Sequence, residues 1–396
     1  MKREEEFKKK QIAILGSTGS IGMQALQIIE KHPERYAVYT LTANNKVDEL
    51  IAQARKFRPE AVVIANENKY STLKDALEDL PVKVYAGTEA ICQIVESQPI
   101  DIVLTAMVGY SGLKPTMNAI RAHKVIALAN KETLVVAGEL INKLALKYHA
   151  PILPVDSEHS AVFQCLTGEI GNNIEKIILT ASGGPFRICT REQLRFVTKT
   201  QALKHPNWKM GVKVTIDSAS MMNKGFEVIE AKWLFGLKPE QIEVVIHPQS
   251  VIHSMVQFED GSVKAQLGLP DMHLPIQYAF SYPDRIPSSF ERLDFSKYTT
   301  LTFEQPDTIR FRNLALAYQA MSLAGNMPCI VNAANEAAVA AFLQDEIGFL
   351  DMSNVIEKTM TCASYIKEPS YEDYVATNTE ATRIAKEQIQ LRKNLN

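Results

Sequence analysis

Between residues 11 and 155, short apolar runs alternate with stretches of helical periodicity. The runs fall at 12–15, 38–41, 61–64, 82–85, 102–105, 125–128 and 152–155. Strands separated by helix-length segments imply a mostly parallel sheet covered on both faces. Residues 1–155 are therefore expected to form a doubly wound, Rossmann-like dinucleotide domain. After Asp156 the pattern changes to a helix over 160–166, a strand over 176–180 and a weakly periodic, glycine- and proline-bearing segment over 181–213. Such long loops in compact domains are usually lids or disordered. Strands at 242–246, 251–258 and 262–267 follow, the last two joined by the hairpin signal Glu259-Asp260-Gly261. This predicts an α+β domain over 156–290 and a linker over 291–307. Helical patterns rich in Ala, Leu, Glu and Gln, at 308–324, 328–343, 352–363 and 371–392, predict a C-terminal helical domain over 308–396.

The first strand runs directly into Gly16-Ser17-Thr18-Gly19-Ser20-Ile21-Gly22, and a helical pattern follows from Met23. Glycines at this spacing let the backbone turn sharply and approach a pyrophosphate, while the helix start offers unpaired amides and partial positive charge. A glycine-rich turn with no ligand is the competing reading. The second strand, 36–42, leads into Ala43-Asn44-Asn45-Lys46 with no acid before Asp48. A carboxylate there would hold the free ribose 2′-hydroxyl of NAD and repel a 2′-phosphate, so its absence favours NADP; a solvated loop is the alternative.

Composition narrows the function class. A formal net charge of −2 offers no broad basic field to nucleic acid and no attraction to a membrane surface. The five cysteines, an odd number with no Cys-x-x-Cys spacing, argue for reduced thiols and a cytoplasmic location. Residues 1–10 are charged and lack the apolar run of a signal peptide, so a solvated extension is expected there.

Candidate chemistry begins at Asp156-Ser157-Glu158-His159. If the strand at 152–155 continues, Asp156 and Glu158 share a face, and two such carboxylates suit a hard divalent cation. The competing reading is a helix N-cap at Asp156 or Ser157. Asn130-Lys131-Glu132 follows another strand and offers an amide and a cation at the same sheet edge. In the polar segment 215–227, Asn223 and Glu227 are i and i+4 neighbours if helical, placing an amide and a third carboxylate on one face. Ala181-Ser182-Gly183-Gly184-Pro185-Phe186 and His205-Pro206-Asn207-Trp208-Lys209-Met210 bracket the expected lid.

Together these motifs resemble the 1-deoxy-D-xylulose 5-phosphate reductoisomerase family. The resemblance runs from Ile12 to the C-terminal helices and rests on segments 15–22, 128–132, 156–159, 181–186, 205–208 and 217–227, in the family's order. It implies an NADPH-dependent enzyme using Mg²⁺ or Mn²⁺, with Asp156, Glu158 and Glu227 as metal ligands. It implies substrate contacts at Lys131, Ser157, Glu158, Ser182, His205, Trp208, Ser218, Asn223, Lys224 and Glu227. Cofactor contacts are implied at Thr18, Gly19, Ser20, Ile21, Asn130, Glu132, Met210 and Gly211. Catalytic roles fall to Lys131, Asp156, Glu158, Lys224 and Glu227, the substrate is a sugar phosphate, and a homodimer is expected. Where the family commonly shows a Gly-Lys-Asn run, this chain has Asn44-Asn45-Lys46, which are carried as cofactor contacts of altered detail. Two alternatives stand beside this reading: a metal-independent NADP-dependent dehydrogenase of another carbonyl, and a non-catalytic NADPH-sensing protein.

Overall fold

The computed structural model describes residues 8–208 and 210–393. Of the expected charged extension, residues 1–7 lie outside the described residues, and Lys10 already belongs to the first strand. The chain forms two compact units.

The first unit takes the chain up to Asn130, Ile141–Asp156 and Met272–Phe290. Its strands are β1 (Lys10–Leu15), β2 (Tyr36–Ala43), β3 (Ala61–Ile64), β4 (Lys83–Ala86), β5 (Ile102–Thr105), β6 (Val125–Leu128) and β7 (Ile152–Pro154). All seven apolar runs are strands, and they pair in parallel in the order β4-β3-β2-β1-β5-β6-β7. Every residue of β3 and β5 is buried, as strands covered on both faces must be. Strand order reverses at β1, whose two neighbours are β2 and β5, and ligands of open α/β sheets bind at the carboxyl ends beside such a reversal.

Residues 272–290 were expected in the middle domain, yet they complete the first unit. Helix His273–Ser281 packs on helix Ser20–Lys31. The Tyr36 and Phe280 rings lie 5.8 Å apart, and Lys10 Nζ donates to the Phe280 carbonyl at 2.9 Å.

The second unit holds Lys131–Leu140, Ser157–Asp271 and the chain from Glu291 onward. Strands β8 (Ile174–Ala181), β9 (Ile242–Ile246), β10 (Ile252–Phe258) and β11 (Val263–Leu267) form a mixed sheet ordered β11-β10-β8-β9. The C-terminal helices are not a separate domain: Leu314, Ile330, Val355 and Ala381 share one core with Leu179 of β8 and with Phe226. Small residues permit that close packing, since a Cβ at Gly225 would lie 2.6 Å from the Ala317 Cβ. The expected linker over 291–307 is itself tied down. Ile246 and Glu304 exchange backbone hydrogen bonds of 2.8 and 2.9 Å, and His247 stacks on Phe303 at 4.9 Å.

Candidate active site

At the head of β1, Gly16 has φ 87°, and a Cβ there would stand 2.7 Å from the Ala106 carbonyl oxygen. A Cβ on Gly22 would meet Gly16 O and Ser17 Cα at 2.5 Å, so the helix start lies directly on the turn. Gly19 is the N-cap of helix Ser20–Lys31 and supplies no side-chain acceptor to the first-turn amides. The turn thus has the form that presents backbone N–H groups to an anion. Asn44, Asn45 and Lys46 are exposed immediately after β2. Asn45 Oδ1 accepts from Asn66 Nδ2 at 2.8 Å, and Lys46 sits 3.6 Å from Glu49. Asn130 is buried, and its amide donates to the carbonyls of Met107 (2.7 Å) and Gly109 (3.0 Å), shaping the loop after β5.

Of the two readings of the segment at Asp156, the structure shows the helix start and not the continued strand. Strand β7 ends at Pro154 and helix Ser157–Leu166 begins three residues on, so Asp156 and Glu158 do not alternate along a strand. The helix start sets their spacing instead. Asp156 is the residue at which the chain passes from the first unit to the second. One oxygen each from Asp156, Glu158 and Glu227 lies within 4.8 Å of the others.

Glu227 belongs to helix Met222–Phe235, entered through Met221 in the left-handed region at φ 63°. That non-glycine strain separates this helix from helix Val212–Ala219. The expected i, i+4 pair forms: Asn223 Nδ2 donates to Glu227 Oε1. Lys224 pairs with the other oxygen of Glu227 and reaches Glu158 at 3.1 Å, while Lys131 Nζ lies 3.1 Å from Glu227 Oε1. Ser157 Oγ donates to Glu158 at 2.7 Å. Glu227 is 1% exposed, and burial of such a carboxylate is tolerable only with these charged donors around it. His159 joins Glu230 at 3.2 Å and the Glu227 backbone carbonyl at 2.9 Å, supporting the group from behind. An all-oxygen donor set suits Mg²⁺ or Mn²⁺. Three carboxylates against two ammonium groups leave a negative charge that a dication would offset.

A second group of expected residues meets around Ser182, which follows β8. His205 Nδ1 accepts from the backbone amides of Trp208 (2.9 Å) and Asn207 (3.2 Å). Its proton is therefore on Nε2, which donates to Ser182 Oγ at 3.2 Å. The Gly184 amide also donates to Ser182 Oγ at 3.2 Å, which leaves the hydroxyl proton of Ser182 to be given outward. Burial pushes the His205 imidazole down from 6.5 to about 4, so it is neutral near pH 7. Gly184 has φ 68° and presses on Ser218, whose carbonyl oxygen would lie 2.9 Å from a Cβ there. Asn207, to which no role was given, anchors this loop by donating to Pro248 O (2.8 Å) and Ser250 Oγ (2.9 Å). The Trp208 ring lies 6.0 Å from His253.

Within segment 181–213 the structure has two one-turn helices, Arg191–Leu194 and Lys199–Ala202. Each starts in a capping box, Thr190 with Gln193 and Thr198 with Gln201, a Thr-x-x-Gln signal present in the sequence. Met210 is half-buried, and Gly211 is the exposed N-cap of helix Val212–Ala219. Glu132, expected at the cofactor, has an oxygen engaged by Lys213 at 2.6 Å. Sequence reasoning assigned Lys213 nothing; only its i, i+4 spacing to Asp217 signals a pairing.

A glycine-headed parallel sheet in one unit, and an oxygen-donor group flanked by lysines centred in the other, define a dinucleotide-dependent enzyme that works with a divalent cation. The family model for 1-deoxy-D-xylulose 5-phosphate reductoisomerase matches residues 12–138. Models for C-terminal domains of the same enzyme match 152–235 and 267–384. A 1-deoxy-D-xylulose 5-phosphate reductoisomerase of Bacteroides fragilis is 80% identical over 384 residues, covering 97% of this chain and 99% of the relative. One from Bacteroides thetaiotaomicron is 77% identical over 389 residues, with 98% and 100% covered. Among solved structures, the Zymomonas mobilis enzyme in complex with NADPH superposes with a TM-score of 0.90 at 43% identity, covering 96% of this chain and 99% of that one. A reductoisomerase in complex with NADPH, fosmidomycin and magnesium gives a TM-score of 0.93 at 41% identity, with 97% and 99% covered. The chain belongs to the 1-deoxy-D-xylulose 5-phosphate reductoisomerase family. Among the described residues no helix is long and apolar enough to cross a membrane.

Proposed function

We propose that this chain converts 1-deoxy-D-xylulose 5-phosphate to 2-C-methyl-D-erythritol 4-phosphate, a rearrangement and reduction dependent on NADPH and on Mg²⁺ or Mn²⁺. The observation that carries this reading is the convergence of Asp156, Glu158 and Glu227 on one point, flanked by Lys131 and Lys224. A metal-independent dehydrogenase or an NADPH sensor has no use for such a group, and neither is favoured.

Asp156, Glu158 and Glu227 hold the cation, which when bound supplies Lewis-acid polarisation of the carbonyl that accepts hydride. Lys131 and Lys224 offset negative charge developing on the sugar oxygens. Ser157 and Asn223 hold the flanking carboxylates and face the same substrate. Ser182 and Ser218 grip the phosphate as a remote handle, whose binding energy helps to position the reacting carbons. The geometry supports an outward O–H donor at Ser182, with His205 acting through it. Trp208 covers the substrate and keeps water from it.

For the cofactor, Thr18, Gly19, Ser20 and Ile21 bind the pyrophosphate, and Asn44, Asn45 and Lys46 take the 2′-phosphate. Met210 and Gly211 serve the nicotinamide end, while Asn130 and Glu132 act by shaping the backbone that receives it. We also assign a homodimer, a cytoplasmic location and a place in isoprenoid precursor synthesis. The free thiols Cys92, Cys165, Cys189, Cys329 and Cys362 support a reducing compartment. Incubating the protein with 1-deoxy-D-xylulose 5-phosphate, NADPH and Mn²⁺ and following carbon signals by NMR tests the reaction. The branched methylerythritol phosphate is expected; reduction of the unrearranged ketose would refute the proposal.

A further inference from the structure

Lys213 is a largely buried cation that none of the roles above uses. Its Nζ lies 2.6 Å from Glu132 Oε1 and 2.8 Å from Asp217 Oδ2, and 4.9 Å from the centre of the Phe226 ring. The arrangement is held from outside by Asn335, whose Nδ2 donates to Asp217 Oδ1 at 2.8 Å. Burial pushes the Lys213 ammonium down, but Asp217 and then Glu132 more than reverse this, so it stays charged. Glu132, raised by burial and lowered further by Lys213, stays ionised.

Two of these contacts fall beside the active residues in sequence. Glu132 follows Lys131, and Phe226 precedes Glu227. Lys131 and Glu227 in turn form the 3.1 Å pair at the carboxylate group. One cation therefore grips both chain segments that supply this pair, the start of helix Glu132–Lys147 through an ion pair and helix Met222–Phe235 through a ring face. We infer that Lys213 is a positioning residue that sets the distance between Lys131 and Glu227 and thereby the affinity of the carboxylate group for its divalent cation. The inference rests on Glu227 being a metal ligand, as proposed above. It also gives Glu132, proposed above to shape the backbone that receives the cofactor, a second role on the metal side of the chemistry.

The test is Mn²⁺ binding to the full-length protein, read from the electron paramagnetic resonance signal of free Mn²⁺, with thermal melting alongside. Lys213→Met is expected to weaken Mn²⁺ binding by about 10- to 100-fold, the range for residues that orient metal ligands. Because that variant strands two buried carboxylates, the triple variant K213M/E132Q/D217N removes their charge. It is expected to melt near the wild type while still binding Mn²⁺ weakly, and the KM for Mn²⁺ should rise more than the KM for NADPH. Wild-type Mn²⁺ affinity in a folded triple variant overturns the inference. Should neither fold, Lys213→Arg decides, because it keeps the charge but not the point contact: a weakening of about threefold or more supports the role, and unchanged affinity overturns it. Equal Mn²⁺ binding by wild type and Glu227→Gln would instead remove the metal-ligand reading itself.

Discussion

On the proposed reading, the turn after β1 receives an anion and the carboxylate group around Glu227 receives a cation. They are built from opposite materials. The turn is built from backbone: nothing larger than Gly16 and Gly22 fits against Ala106 and Ser17, and the groups the helix start presents are main-chain amides. The carboxylate group is made of side chains drawn from separate segments, with Lys131 lying 96 residues from its partner Glu227, and its charges are only partly offset by Lys131 and Lys224. A backbone site recognises a chemical class, phosphate, shared by many folds and reactions. A side-chain site of this density specifies a reaction.

The sharpest way to break this contrast is Glu227→Gln. Loss of one buried carboxylate should cost turnover more than the ~100-fold typical of groups that merely orient ligands, and should weaken Mn²⁺ binding, while NADPH binding measured by fluorescence stays near wild type. Activity within tenfold of wild type at limiting Mn²⁺ would remove Glu227 from the site. Gly16→Ala probes the other material. Its φ of 87° and the clash with Ala106 should lower stability by about 1–3 kcal/mol and weaken NADPH binding, while Gly19→Ala, at φ −83°, should do much less in thermal melts.

The third prediction concerns pH. His205 has a folded pKa of about 4 against an ordinary 6.5, so between these values the unfolded chain binds the proton that the folded one refuses. The stabilisation is present above pH 6.5 and is lost as pH falls towards 4. Urea titrations across this window should show a decline in stability that is smaller in His205→Gln; identical slopes would contradict a buried neutral imidazole. The smallest effect is expected for Lys46→Ala. An exposed charge contributes at most about 1 kcal/mol, so the KM for NADPH should rise about two- to fivefold with little change for NADH.

The same contrast explains what was legible in the sequence. Strands β3, β5 and β6 match their apolar runs residue for residue, because four-residue runs rich in Val and Ile are too short for a helix. The Asn223–Glu227 pair was legible from its spacing alone. Helix His273–Ser281 and its place in the first unit were not read in the sequence, since apolar spacing says that a face is buried and not against what. The C-terminal helices were separated from the β8–β11 sheet for the same reason, although they share its core. At Asp156 and Glu158 the helix start, and not the continued strand, is the reading the structure bears out: a strand that stops at Pro154 and a helix that starts at Ser157 bring the two carboxylates together. Lys213 was invisible because largely buried lysines are rare and its partner Glu132 lies 81 residues away.

The central claim is that the dinucleotide turn and the carboxylate group serve one reaction. It is tested most directly by counting NADPH consumed per 1-deoxy-D-xylulose 5-phosphate supplied, first with Mg²⁺, then after EDTA, then after Mg²⁺ is restored. The account predicts one NADPH for each substrate molecule, no consumption in EDTA, and full recovery on restoring the ion. NADPH consumption that continues undiminished in EDTA would contradict it.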